Sequence, residues 1–218
     1  MALAIFDLDN TLIAGDSDHS WGEFLIENGQ VDRLTYKRKN DEFYQQYCQG
    51  ELDINAYLHF VFEPLARLDS NQLSLLHSEF METRIKPMLL PKAQALLAKH
   101  RAKGDYLLII TSTNSFVTGP ICTLHQVDDF IASDPEIIDG RFTGKIEGTP
   151  AYQEGKTARL NEWFKHNNQS LDDSYAYSDS INDLPLLKMV DHPVVVDGDE
   201  ALQNYAEKHD WPCISLRD

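Results

Sequence analysis

Basic residues are scarce in this chain: 19 lysines and arginines stand against 35 aspartates and glutamates, a formal net charge of −16. No basic run or Arg/Lys stripe is present to neutralise phosphates, which argues against nucleic-acid binding and against an anionic membrane surface. Cysteine is sparse too. Cys48, Cys122 and Cys213 lie far apart with no Cys-x-x-Cys, so a disulfide scaffold is excluded and reduced thiols fit a cytoplasmic protein. No apolar stretch approaches the ~20 residues of a membrane span. The first apolar run starts too close to Met1 to leave room for a secretory leader. The eight histidines show no His-Glu-x-x-His or comparable metal spacing. No repeat or low-complexity segment appears.

What is present is an ordinary globular composition over 218 residues, enough for one sizeable core and an insertion. Four apolar runs read as buried parallel strands: residues 3–6, 106–110, 174–177 and 193–196. Helical patterns separate the later ones, at 91–99 with Gly104 just beyond, at 155–165, at 184–190 and at 200–208. Strands alternating with helices predict an α/β fold, a Rossmann-like doubly wound parallel sheet. The stretch from about 17 to 86 has no convincing strand. Trp21, Phe24 and Leu25 before Asn28-Gly29 mark one amphipathic helix, Phe43, Tyr44 and Tyr47 before Gly50 a second, and 54–65 and 73–81 two more. Asp53 and Ser70 are the expected N-caps. The organisation that follows is a core of residues 1–15 and 88–218 with an all-helical insertion, 16–87, after the first strand. A second, smaller insertion is expected as a hairpin turning at Asp139-Gly140.

In open α/β sheets, ligands sit beyond the carboxyl ends of the strands. Asp7 and Asp9 follow the first run, one residue apart. Strand alternation therefore lets both converge on one small volume, where two carboxylates repel unless a cation or a shared proton relieves them. Thr111-Ser112-Thr113-Asn114 follows the second run, a hydroxyl cluster read as opening a helix. Ser178-Asp179-Ser180-Ile181-Asn182-Asp183 follows the third, and Lys156 stands near a helix start between those two. Taken singly, these are also what a solvated turn, a helix cap and an exposed lysine look like. Taken in order, they place carboxylates, hydroxyls and an ammonium in one crevice, the equipment of a magnesium and phosphate site.

The ordered set Asp7-Leu8-Asp9-Asn10-Thr11, a Thr or Ser after the second core strand, Lys156 and the acidic pair Asp179/Asp183 resembles the haloacid dehalogenase (HAD) superfamily. The helical insertion resembles that superfamily's C1 cap. Gly-Arg-Phe-Thr-Gly-Lys-Ile-Glu at 140–147 and Asp179-Ser180-Ile181-Asn182-Asp183-Leu184-Pro185 are similar to its phosphoserine-phosphatase-like branch. The resemblance implies that Asp7 attacks phosphorus and forms an aspartyl-phosphate, while Asp9 protonates the leaving oxygen and then takes a proton from water. It implies that Thr111, preferred to Ser112, donates to the phosphoryl oxygens, and that Lys156 neutralises their charge. Asp7, Asp179 and the backbone carbonyl of Asp9 would hold Mg2+; Asp183 would hold metal-bound water or orient Lys156, and Asn182 is a supporting polar contact. The branch usually carries glycine where Ser178 and Ser180 stand.

A helical lid favours small phosphate esters as partners over proteins or polymers. Asp16, Asp18 and His19 lie where the chain leaves the core. Asp16 falls where the branch meets a substrate amino group, and it is equally placed to cap a helix. Phosphoserine would also need an arginine for its carboxylate. Arg33, Arg38, Arg67 and Arg84 are the candidates, and none sits in a recognisable motif, which tilts the expectation toward histidinol phosphate. Phosphoserine hydrolysis, transfer to an acceptor other than water, and a silent phosphate-binding protein are the alternatives. A signalling receiver would be about half this length. Oligomeric state is not legible.

Overall fold

The computed structural model describes residues 2–217. Seven strands form one sheet in the order β4-β3-β2-β1-β5-β6-β7. They are β1 (Leu3–Phe6), β2 (Tyr106–Asn114), β3 (Asp129–Ile138), β4 (Arg141–Glu147), β5 (Tyr175–Ser178), β6 (His192–Val196) and β7 (Cys213–Ile214). All neighbours run parallel except β3 and β4. Chain order runs outward from β1 through β2 and β3 on one side, and through β5, β6 and β7 on the other. β1 is thus the switch point of the sheet, and the crevice at its carboxyl end is where such folds bind ligands.

β1 is apolar at every position because helices cover both faces of the sheet. Ala4 and Phe6 belong to one buried cluster and Leu3 and Ile5 to the other, the alternation a strand imposes. The sheet is wider than the four apolar runs predict. The missing core strand is the first half of β3, where Asp128-Asp129 interrupts the hydrophobic pattern. Asp128 accepts from Leu107 N and Asp129 from Trp163 Nε1, so acids that read as a turn serve as strand-edge acceptors. The Asp139-Gly140 turn is present, with both residues at positive φ (52° and 74°), as a tight hairpin requires. It closes a continuation of β3 rather than a separate insertion.

Between β1 and β2 lie α1 (Ser17–Glu27), α2 (Arg33–Gln49), α3 (Ile54–Arg67) and α4 (Ser70–Phe80). A π-helical turn (Met81–Ile85), α5 (Lys86–Met88) and α6 (Pro91–Lys103) complete the connection. The first four helices each begin at an aspartate: Asp16, Asp32, Asp53 and Asp69 accept from the first-turn backbone. The chain's acidity is thus partly used at the positive ends of helix dipoles. Asp53 caps as expected; Ser70 does not. Asp69 takes that place because its carboxylate reaches Gln72 N while Gln72 Oε1 accepts from Asp69 N, a capping box.

Four helices and a turn complete the core. They are α7 (Ser115–His125), α8 (Glu154–Phe164), a 3-10 turn (Ile181–Asp183) running into α9 (Leu184–Leu187), and α10 (Glu200–Lys208). The hydroxyl cluster 111–114 belongs to the end of β2 rather than to the helix after it. Asn114 makes the transition, accepting from Val117 N as the N-cap of α7.

Candidate active site

The carboxyl ends of β1, β2 and β5 converge with the first turn of α8. Asp7 extends the β1 ladder, donating its N–H to Tyr177 O at 2.9 Å, and its side chain enters the crevice. Lys156 arrives from α8. A Cβ on Gly155 would sit 2.0 Å from Pro150 O, so glycine lets that helix start tightly enough to bring the lysine inward. The Lys156 ammonium is 2.7 Å from Asp7 Oδ1 and 2.7 Å from Asp183 Oδ1, with all three side chains buried. Burial opposes its charge, but the Asp183 and Asp7 carboxylates outweigh that and raise its pKa. Asp183 therefore touches and orients Lys156, one of the two roles left open for it.

Asp9 sits apart from the lysine. Its Oδ1 accepts from Ser17 N at 2.6 Å and its Oδ2 from Thr113 Oγ1 at 2.8 Å. Burial, then the charge of Asp16, pushes its pKa up to about 7. Asp7 is also pushed up to about 7, by burial and against the pull of Lys156. Of two carboxyls that share this tendency, the one beside an ammonium keeps the anion more easily. Asp7 has the Lys156 ammonium beside it, whereas Asp9 is held by Ser17 N and the Thr113 hydroxyl.

Asp179 accepts from Thr11 Oγ1 at 3.1 Å; burial, then repulsion from Asp7 and Asp183, raises its pKa well above the usual carboxylate range. Buried Asp7 and Asp183 with half-buried Asp179, set against one ammonium, leave an excess of negative charge on oxygen donors. That is the donor set a hard divalent cation such as Mg2+ takes. Asp7, Asp179 and the Asp9 backbone carbonyl fit as its holders, with Asp183 committed to Lys156. His19, Glu23 and Asp41 also cluster. There the Lys37 ammonium reaches Glu23 at 3.1 Å and Asp41 at 3.2 Å, so the grouping is an ion-pair network.

A cavity opens above Asp7 and Asp9. Its lining combines the polar Asp16, Asp18, His19, Asn40, Ser112 and Thr113 with the aromatic and aliphatic Phe43, Tyr44, Tyr47, Leu52, Ile54 and Tyr57. Asp16 both lines it and caps α1 through His19 N at 2.7 Å. Asp18 has both oxygens engaged, by Tyr57 OH at 2.7 Å and Asn114 Nδ2 at 3.0 Å, and burial pushes it up to about 8. The His19 ring bonds Asp41 and lies 4.8 Å from the Tyr44 ring.

Thr111 and Asn182 are expected site residues that lie outside the cavity lining. Thr111 is buried and is not among the lining residues; its Oγ1 accepts from Thr113 N at 3.2 Å. Thr113, two residues on and so on the same side of the strand, is the hydroxyl that reaches Asp9. Asn182 does not face the cavity either. Its Nδ2 donates to Tyr47 O at 3.1 Å, across to α2. The serines in place of glycines cause no distortion, since neither has positive φ. Ser178 Oγ donates to Asp183 Oδ2 at 2.7 Å, and Ser180 caps the 3-10 turn through Asn182 N.

Several site residues escaped the sequence reading. Thr11 was in view within the first motif, as was Thr113 in the hydroxyl cluster. Asn40, Tyr57 and Leu52 carried no signal, because only helix packing brings them to the cavity.

The model of the haloacid dehalogenase-like hydrolases matches residues 4–188. The chain belongs to that family. Among its relatives is a histidinol-phosphatase of Neisseria meningitidis, 43% identical over 99% of both chains. A phosphoserine phosphatase of Mycobacterium tuberculosis is 25% identical over 99% of this chain and 71% of its own. A solved Bordetella pertussis protein of unknown function superposes with a TM-score of 0.93 at 41% identity, covering 99% of this chain and 98% of its own. A substrate-bound phosphoserine phosphatase shares the fold, with a TM-score of 0.73 at 17% identity, over 98% and 92% of the two chains. The α/β architecture is that of HAD-like hydrolases. Among the described residues, no helix is long and apolar enough to cross a membrane.

Proposed function

We propose that this HAD-family phosphatase hydrolyses a small phosphate ester with an amine-bearing leaving group, histidinol phosphate, through an aspartyl-phosphate and with Mg2+. One observation carries the choice of substrate. The cavity is lined by Asp16, Asp18, His19, an amide and aromatic rings, with no arginine or lysine among its lining residues. A substrate carboxylate would have no lysine or arginine to pair with there, whereas an ammonium or imidazole meets the Asp16 carboxylate and ring faces. The four arginines weighed for phosphoserine point elsewhere. Arg38 pairs with Glu42, Arg67 with Glu63 and Arg84 with Glu27, and Arg33 is exposed. The full-length similarity to a histidinol-phosphatase supports the same reading.

In this reading Asp7 attacks phosphorus through a carboxylate oxygen, and the bond to the ester oxygen breaks as Asp9 gives that oxygen its proton. Asp9, now anionic, takes a proton from water as the water attacks phosphorus, and the Asp7–phosphorus bond breaks to release phosphate. Lys156 holds Asp7 in place and offsets phosphoryl charge. Bound Mg2+ would neutralise further phosphoryl charge. Asp16 is the residue placed to meet the leaving group's cation, since both Asp18 oxygens are taken. The helices of 16–87 act as the cap that keeps bulk water out.

The test is phosphate release from histidinol phosphate and phosphoserine side by side, with Mg2+ present and Asp7→Asn as the blank. Histidinol phosphate turned over at kcat/KM above ~10⁴ M⁻¹s⁻¹ and lost in the variant is the expected result. Phosphoserine turnover far exceeding it would sink the substrate assignment.

A further inference from the structure

One residue next to the catalytic machinery is strained without being glycine. Gln153 has φ 48° and ψ −121°, a region that side-chain-bearing residues rarely occupy, and it precedes α8, the helix carrying Lys156. Such strain persists where the surrounding structure overrides it, and it concentrates at functional positions. A glycine here would relieve the backbone, so the glutamine side chain must supply something in return.

Its amide bridges three elements. Nε2 donates to Asn182 Oδ1 at 3.1 Å, to Tyr152 OH at 3.1 Å and, more weakly, to Gly50 O at 3.5 Å. Tyr152 OH also donates to Asn182 Oδ1 at 3.3 Å, and Asn182 Nδ2 reaches Tyr47 O. Tyr47 and Gly50 form the last turn and cap of α2, with Gly50 in the left-handed conformation. On the core side, Asn182 lies between Asp179 and Asp183, and Gln153 O accepts from Lys156 N at 3.0 Å. The network therefore joins the end of α2 to the loop bearing the acidic pair and to the turn presenting the lysine. Tyr44 and Tyr47 line the cavity above Asp7 and also the neighbouring opening that contains Asp179. Both rings are carried by the second half of α2 (Arg33–Gln49).

We propose that Gln153 is a positioning residue: its amide, with Asn182, fastens the end of α2 over the active site, so that Tyr44 and Tyr47 close on the substrate while Lys156 is in place. This rests on the phosphatase reading for its consequence, not for its geometry. Closure that depends on these bonds acts on substrate retention more than on the chemical step.

The test uses the full chain and two variants. Gln153→Gly removes the amide and the strain together, and Gln153→Glu keeps the length but replaces the donor by a carboxylate facing carbonyl oxygens. Amide hydrogen exchange reads the end of α2 without any substrate. Expected for both variants is about tenfold faster exchange over residues 44–52 with the sheet strands unchanged. For Gln153→Gly the melting temperature should shift by no more than about 3 °C, since relief of strain offsets the lost bonds. KM for histidinol phosphate should rise about tenfold with kcat within about threefold of the parent. Unchanged exchange over 44–52 overturns the proposal, as does exchange that rises everywhere together with a lower melting temperature. If exchange responds as stated but the parent hydrolyses a generic aryl phosphate and not histidinol phosphate, the fastening role stands and the substrate assignment falls.

Discussion

Replacing Asp18 by asparagine should make the protein less sensitive to alkali, by an amount the structure sets. Asp18 is 2% exposed, and burial, against hydrogen bonds from Tyr57 and Asn114, pushes its carboxyl from 3.8 to about 8. The sign follows from linkage. Between those two values the folded state holds a proton that the unfolded state has released, so stability is fully present below about pH 4 and is lost as pH rises toward about 8. One unit of pKa is about 1.36 kcal/mol. Between pH 5 and pH 7 the unfolded aspartate is nearly all ionised and the folded one nearly all protonated, so the loss over that interval is about 2–3 kcal/mol. Asp18→Asn keeps the shape. Its carbonyl can accept from Asn114 Nδ2 and its amide can donate to the Tyr57 hydroxyl, which serves as donor or acceptor. The other buried carboxyls titrate in both proteins, so the difference isolates this one. Urea unfolding of both proteins at pH 5, 6 and 7 reads it, and the variant should gain on the parent by about 2–3 kcal/mol across the series. Curves that stay parallel to within about 0.5 kcal/mol would refute a buried neutral acid at this position and restore Asp18 as an anion available to the substrate.

Three further outcomes follow from the same geometry. Lys156→Met leaves Asp7 and Asp183 buried without their ammonium, and breaking such a pair costs about 3–5 kcal/mol; urea midpoints should fall more at pH 8 than at pH 5, and equal loss at both contradicts the ion pairing. Asp9, raised to about 7, should give kcat/KM an alkaline limb near pH 7, because the proton needed by the leaving oxygen is lost above it. A profile flat to pH 9 would remove Asp9 as the acid. Gly22→Ala would place a Cβ 2.6–2.8 Å from the Asn40 side chain, forcing α1 and α2 apart at a cost of about 1–3 kcal/mol and disturbing the cavity wall; an unchanged melting temperature and KM would show that wall to be compliant.

Much of the chemistry was legible before folding because it is local. Asp7 and Asp9 share a strand end, so alternation alone aims them together. Lys156 and the 178–183 segment follow apolar runs whose carboxyl ends a parallel sheet must gather on one side. The helices between β1 and β2 were legible from their periodicity and their Asp and Gly boundaries. The first half of β3 was not, since Asp128 and Asp129 break its pattern and only their bonds to neighbouring elements explain them. Thr111 is preferred to Ser112 in the sequence because it directly follows the apolar run ending at Ile110, but β2 runs four residues further, to Asn114, and brings Thr113 to Asp9.

The sequence by itself determined which groups could do the chemistry: a carboxylate pair, a lysine and an acidic segment, ordered as an α/β sheet would assemble them. Tertiary structure alone decided how each is used. It set Lys156 between Asp7 and Asp183, and left Asp9 beside Thr113 without a cation. It also closed both oxygens of Asp18 and turned Asn182 from the cavity toward α2. The reason is range. Strand alternation and helix capping act over a few residues, whereas charge, burial and side-chain hydrogen bonds depend on neighbours far away in the chain, as Lys156 lies 149 residues from Asp7 and Asp179 lies 168 from Thr11.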